Sequence, residues 1–184
     1  EQFCDDYNAE LDRFKRKGHG KRLDDFVDYS KIKWSRNLKR SLRNGKELDF
    51  KPKTIRGALY RPFTKRFLYL ADIAVDEFGQ LPSFFPSKAI GHENQAITLT
   101  TLGSEKPFMV LMISGICDLH VVGAGAGTQC FPFYVYDKDG ENRRENITDV
   151  AIQQFRQHYK KPKLTKREIF DYVYGLLHHS GYRA

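Results

Sequence analysis

Apolar residues recur at helical spacing near both ends of this chain, and between them gather into short runs of branched and aromatic side chains cut by Gly and Pro. That switch of period, from about 3.6 to about 2 and back, constrains the fold most, because helix stripes and strand faces need different partners. Phe3, Tyr7, Leu11 and Phe14 predict an amphipathic helix over 3–17 that stops at Gly18. Residues 18–22, Gly-His-Gly-Lys-Arg, read as a linker. Ile32, Leu38 and Leu42 predict a second helix ending at Asn44-Gly45, with Lys33, Arg36, Lys39, Arg40 and Arg43 on its polar face. Strand-like runs follow at 54–60, 66–71, 96–102, 108–113, 119–122 and 131–136, with Arg61-Pro62 marking a bend. Helical spacing returns in Ile152, Phe155 and Tyr159, and in Ile169, Phe170, Val173, Tyr174 and Leu177. Thr148 and Thr165 suit helix N-caps, and Thr165 with Glu168 matches a capping box. The expected class is α+β, with a central, mostly antiparallel or mixed sheet flanked by N-terminal and C-terminal helices.

At 184 residues the chain suits one domain, or one domain with an appendage. Its net charge of +8 is unevenly spread. Residues 13–66 hold 19 Lys and Arg against 5 Asp and Glu, whereas the first 12 residues hold five acids and no base. Such concentration is the footprint of a polyanion-binding surface, although a cationic stretch is often just a solvated helix face. Two features favour nucleic acid: Trp34, Tyr60, Phe63, Phe67 and Tyr69 are interleaved with the cations, and many of the cations are Arg. Arg pairs bidentately with phosphate and with guanine edges. Five cations on one short helix repel each other unless an anion lies nearby.

Other chemistry is poorly supported. No apolar run is long enough for a membrane helix, and the polar, acidic first residues do not read as a signal peptide, so a cytoplasmic protein is expected. Cys4, Cys117 and Cys130 form no disulfide framework, and Cys117, His120 and Cys130 lack a fourth ligand for zinc. Gly123, Gly125 and Gly127 space a glycine-rich loop, but a strand rather than a helix is expected after it, which does not suit a dinucleotide or S-adenosylmethionine site. Ser114, Asp118 and His120 form a triad only on paper, His92 stands near Glu93 without a nucleophile, and His178-His179 suits a helix C-terminus.

Several segments together resemble the C-terminal specificity region of the large single-polypeptide restriction–modification enzymes of type ISP. They are Ile32-Lys33-Trp34-Ser35-Arg36, Leu59-Tyr60-Arg61-Pro62-Phe63-Thr64-Lys65-Arg66, Cys130-Phe131-Pro132-Phe133-Tyr134-Val135-Tyr136, Asn146-Ile147-Thr148-Asp149 and Ile169-Phe170-Asp171-Tyr172-Val173-Tyr174-Gly175-Leu176-Leu177-His178. The resemblance runs from about Tyr29 onward. It implies a piece of a longer enzyme, in keeping with a first residue, Glu1, that is not Met. Residues 1–20 would be a helix and linker from the end of a methyltransferase domain, and 21–184 a DNA target-recognition domain whose last helical segment is cut short. It also implies double-stranded DNA as partner, with upstream methyltransferase and helicase–nuclease domains on the same polypeptide. Catalysis would lie upstream, where the parent would use S-adenosylmethionine, ATP and Mg, and this piece would hold no cofactor.

On that reading the basic helix, through Lys33, Arg36, Lys39 and Arg40, contacts phosphate. Arg61 and Arg66, then Arg56 and Lys65, contact DNA from strands. Gln129 and Asn94-Gln95 suit adenine edges, though exposed loop amides are usually solvated. Trp34, Tyr60 and Phe63 are expected in the core rather than stacked on bases, since aromatics bury so much apolar area. The alternative is a protein-interaction or coupling module that docks on the parent's other domains without touching DNA.

Overall fold

The computed structural model describes every residue except 19, 77–78, 87–93 and 184, and the backbone alone of Leu81. The chain divides into two compact units. Glu1–Arg56 with Phe67–Gly79 form the first, and Gly57–Arg66 with Gln80–Ala184 the second.

The first unit is built on helix α1, Gln2–Lys17. Tyr7 and Leu11, one turn apart, are fully buried among Phe26, Trp34, Leu38, Leu42 and Leu48. Polar groups on the same helix fix the chain that follows. The Tyr7 hydroxyl donates to Lys46 O at 2.9 Å, and the Asn8 amide both donates to and accepts from the Leu48 backbone at 3.0 Å. Burial pushes the Tyr7 hydroxyl pKa up to about 12. The boundary expected near residue 20 therefore does not separate the units, because α1 shares its core with residues as distant as Ile73.

Helix α2 is shorter than the spacing predicts, running Arg36–Arg43. Ser35 is its N-cap, accepting from Leu38 N at 3.1 Å, and the chain before it is turn. Ile32 and Trp34 are buried there without being helical, and Trp34 Nε1 donates to Asp28 O at 3.0 Å. A capped start at Ser35 leaves Lys33 outside the helix, which corrects the basic helix expected over 31–43.

Strands β1, Ile55–Arg61, and β2, Thr64–Tyr69, form a hairpin whose ends belong to the first unit and whose tip belongs to the second. After the short helix α3, Leu81–Phe84, the second unit centres on an antiparallel sheet. Its strands are β3, Ala96–Thr100, β4, Val110–Ile113, and β5, Thr128–Pro132, in the order β4-β3-β5. The run expected over 131–136 is broken, since Pro132 has no N–H to extend the ladder. Phe133 N turns to Gln95 O at 2.7 Å, and β6, Tyr134–Val135, pairs instead with β7, Arg144–Glu145.

Residues 119–122, expected as a strand, form a turn closed by Val121 N to Asp118 O at 3.1 Å and Gly123 N to His120 O at 3.2 Å. Val121 and Val122 are buried, so their branched, apolar character reports burial rather than an extended backbone. Helices α4, Asp149–Tyr159, and α5, Lys166–His178, start where Thr148 and Thr165 predict, and the capping box is present. Phe170 on α5 packs with Ile97, Val110 and Phe133, placing this helix against the β3–β4 side of the sheet. A last turn of helix, α6, covers Ser180–Arg183. Among the described residues, no helix is long and apolar enough to cross a membrane.

Candidate nucleic-acid interface

The hairpin tip brings three of the expected contact residues together. Arg61 ends β1, Pro62 and Phe63 turn the chain, and Thr64 opens β2. Proline suits the second position of such a turn, and Phe63 occupies the third with φ of +65°, where a bulky side chain is rare. The tip is anchored by the rest of the second unit, with Leu59 N donating to Ile116 O at 2.8 Å and Asp118 N to Leu59 O at 2.9 Å.

Arg61 is held in one pose. Its Nη1 lies 2.8 Å from Asp118 Oδ1 and 2.7 Å from Tyr60 O, and its guanidinium stacks 4.2 Å from the Tyr60 ring centroid. Lys65 and Arg66 are exposed and, among the described residues, make no ion pair. Phe63 is 93% exposed and Tyr60 46%, so the expectation that both lie in the core is overturned; only Trp34 of the three is buried. A two-residue turn leaves no neighbour to cover its third residue, however apolar it is. Asp118, which orients Arg61, escapes sequence reasoning because it is 57 residues away along the chain.

The first unit holds the other expected cations. Arg36 pairs with Asp76 at 3.2 Å, and the same carboxylate accepts from Asn37 N at 2.9 Å. Lys39 lies 3.4 Å from Asp24 and 5.4 Å from the Tyr29 ring centroid. A hydrogen bond to Tyr29 first, and to Asp24 after it, raises the Lys39 pKa. Lys33, Arg40 and Arg43 are exposed and make no ion pair among the described residues. Arg56 is half-buried, which lowers its pKa. Folding also dilutes the charge. With the acids of α1 the first unit holds 16 Lys and Arg against 13 Asp and Glu, a net of +3, and the second holds 15 against 10, a net of +5.

Gln129 lies within β5, opposite Leu99 of β3, and not in an exposed loop. Asn94 is not an exposed loop amide either. It is 2% exposed, donating to Phe84 O and Tyr134 O and accepting from Gln95 N and Tyr134 N, a clip that holds the start of β3 against β6.

The remaining motifs resolve into local structure. Asp118 takes Arg61 rather than an imidazole, and His120 Nδ1 donates to Ala126 O at 2.7 Å, so the paper triad does not assemble. Residues 123–127 lead into β5 and not into a helix, so the loop does not fit a dinucleotide or S-adenosylmethionine. Burial pushes the Cys117 thiol up to about 12 and the Cys130 thiol up to about 11. Among the described residues no three metal-ligating side chains cluster. His92 lies outside the described residues, and His179 caps the end of α5.

A family model described as the Type ISP C-terminal specificity domain matches residues 1–184. Among curated proteins, none matches the sequence. Of solved structures, a cryo-EM structure of a DrdV–DNA complex is 33% identical with a TM-score of 0.82, covering 98% of this chain and 17% of that one. A nuclease-deletion mutant of the Type ISP restriction–modification enzyme LlaGI, in complex with a DNA substrate mimic, is 28% identical with a TM-score of 0.76, covering 100% and 13%. The ATP-dependent Type ISP restriction–modification enzyme LlaBIII bound to DNA shares the fold, with a TM-score of 0.73 at 24% identity over 97% of this chain and 11% of that one. This chain thus spans less than a fifth of each of these structures. A fold shared over nearly its full length, and a family model matched from first residue to last, place it: the chain belongs to the Type ISP C-terminal specificity domain family.

Proposed function

We propose that this chain is the DNA target-recognition part of a restriction–modification enzyme, gripping a duplex so that domains elsewhere on the polypeptide act at one sequence. The observation that carries this reading is the hairpin tip, where a fixed Arg61 stands beside exposed Lys65 and Arg66. An Arg held by a carboxylate is preorganised to read a guanine edge, and mobile exposed cations suit phosphates. The exposed cations Lys33, Arg40 and Arg43 of the first unit supply further phosphate contacts. Arg36, Lys39 and Arg56 are each engaged or half-buried, so they position neighbours more than they meet DNA. The DNA in the related DrdV and LlaGI structures supports the same reading. The parent's S-adenosylmethionine, ATP and Mg would be bound by methyltransferase and helicase–nuclease domains outside this chain, and a cytoplasmic location follows from that role.

A salt titration on duplex DNA is the direct test. Affinity should fall steeply as salt rises, and Arg61→Glu with Arg66→Glu should reduce it at least tenfold, flattening the salt slope by about one for each phosphate no longer neutralised. Unchanged affinity of the double variant at low salt would remove these residues from the interface.

One observation favours a second reading, docking on other domains of the parent. An apolar groove of about 550 Å3 lies between β3, β5 and helices α4 and α5, lined by Leu99, Phe131, Phe155, Val173 and Leu177 among others. Such a surface suits a protein and not a phosphate backbone. Tight binding to a separately supplied methyltransferase domain, with none to DNA, would establish it in place of the first.

A further inference from the structure

Phe63 costs the fold twice over. Its ring is 93% exposed, and its φ of +65° is one that glycine or asparagine adopts far more readily. Neither cost serves the folded chain, because the tip is held by Leu59, Ile116 and Asp118 through backbone hydrogen bonds in which Phe63 has no part. A strained backbone that presents an aromatic ring to solvent points outward, to something the ring meets.

We propose that Phe63 is a wedge that enters the base stack of a duplex, parting two neighbouring base pairs while the cations beside it hold the flanking phosphates. This deepens the DNA-recognition reading and rests on it. The placement supplies what such a wedge needs. Pro62 stiffens the turn that projects the ring. Lys65 and Arg66 lie within three residues of it, so a ring entering the stack brings positive charge to the flanking phosphates, while Arg61, two residues before it, reaches the base edge. Those same cations argue against a protein pocket, which would have to strip water from all three to seat the ring. Tyr60, the neighbouring aromatic, is already stacked with Arg61, which leaves Phe63 as the uncovered ring of the turn. Apolar wedges unstack a step and bend the duplex, so the ease of opening that step becomes part of what is recognised.

The test compares the chain on a short mixed-sequence duplex with the same duplex opened at one central step by a pair of abasic sites. A wedge spends part of its binding energy on unstacking, so the opened duplex should bind about tenfold tighter. Phe63→Gly and Phe63→Asn, which both suit a left-handed backbone, should lose that preference, keep the salt slope on the intact duplex, and unfold at an unchanged or higher temperature. A preference retained in both variants overturns the wedge and leaves DNA binding standing. A wild-type chain that binds both duplexes equally also overturns it, as a ring seated in a protein pocket would require. Binding to neither duplex at low salt removes the DNA reading and the wedge together. A lower unfolding temperature in both variants would show that the ring packs within the fold, and would overturn the proposal as well.

Discussion

Arg61 and Asp118 act as a unit whose second member gives direction to the first. Without the carboxylate 2.8 Å away, the guanidinium keeps its charge and its stacking on Tyr60 but loses a fixed orientation. Asp118→Asn should therefore weaken duplex binding by at least tenfold, in line with the ~1.5–3 kcal/mol of a hydrogen bond to a charged group, while leaving the salt slope nearly unchanged. Because Asp118 also accepts from His120 N at 2.9 Å, a double-mutant cycle with Arg61→Ala separates the two roles. Additive losses would mean that the carboxylate serves only its own turn. At this scale the sequence is half readable. Its charges mark Arg61, Lys65 and Arg66, yet nothing local marks Asp118, and the apolar character of Phe63 suggests the core where turn geometry dictates the surface.

Among the elements, caps are the most legible signals and strands the least. Thr148 and Thr165 start α4 and α5 because a hydroxyl satisfies an orphan N–H wherever the rest of the chain goes. The same rule, applied at Ser35, starts α2 at Arg36 and keeps Lys33 off the helix, which apolar spacing alone does not reveal. Strand readings fail at 119–122 since buried branched residues look alike in a turn and a strand. The capping box gives a measurable consequence. Thr165→Ala should lower stability by about 1 kcal/mol, read as a lower thermal midpoint. Hydrogen bonds from the Thr165 hydroxyl and backbone hold the Glu168 pKa below its usual value. A depressed carboxylate pKa stabilises the fold above its unfolded value, and that contribution fades as pH falls through the folded one. The gap between wild type and variant should accordingly narrow in acid, and a gap independent of pH would show that the hydroxyl acts without Glu168.

On the scale of the whole molecule, folding replaces one strongly basic third with two moderately basic units. The acidic start of the chain, set apart in the sequence, joins the first unit through α1, where Glu10 is buried with Arg13 at 3.0 Å and Lys31 at 3.9 Å. Charge counted along a chain cannot anticipate which helix will fold back over it. Truncating α1's buried face tests that integration. Leu11→Ala should destabilise the first unit by ~2–5 kcal/mol, and amide hydrogen exchange should accelerate there while Ile97 and Phe170 of the second unit keep their protection. Uniform acceleration in both units would show one cooperative body instead.

The hairpin tip belongs to the second unit yet interrupts the first, and this has a consequence for inheritance. A single genetic crossover at Gly79–Gln80 between two relatives would join the hairpin of one parent to the sheet and Asp118 of the other. Such a hybrid keeps an oriented Arg61 only if both parents encode the pair. New specificities that arise by exchange of segments should thus either move residues 57–66 and 80–184 together or be selected where the Arg and the Asp are held in common.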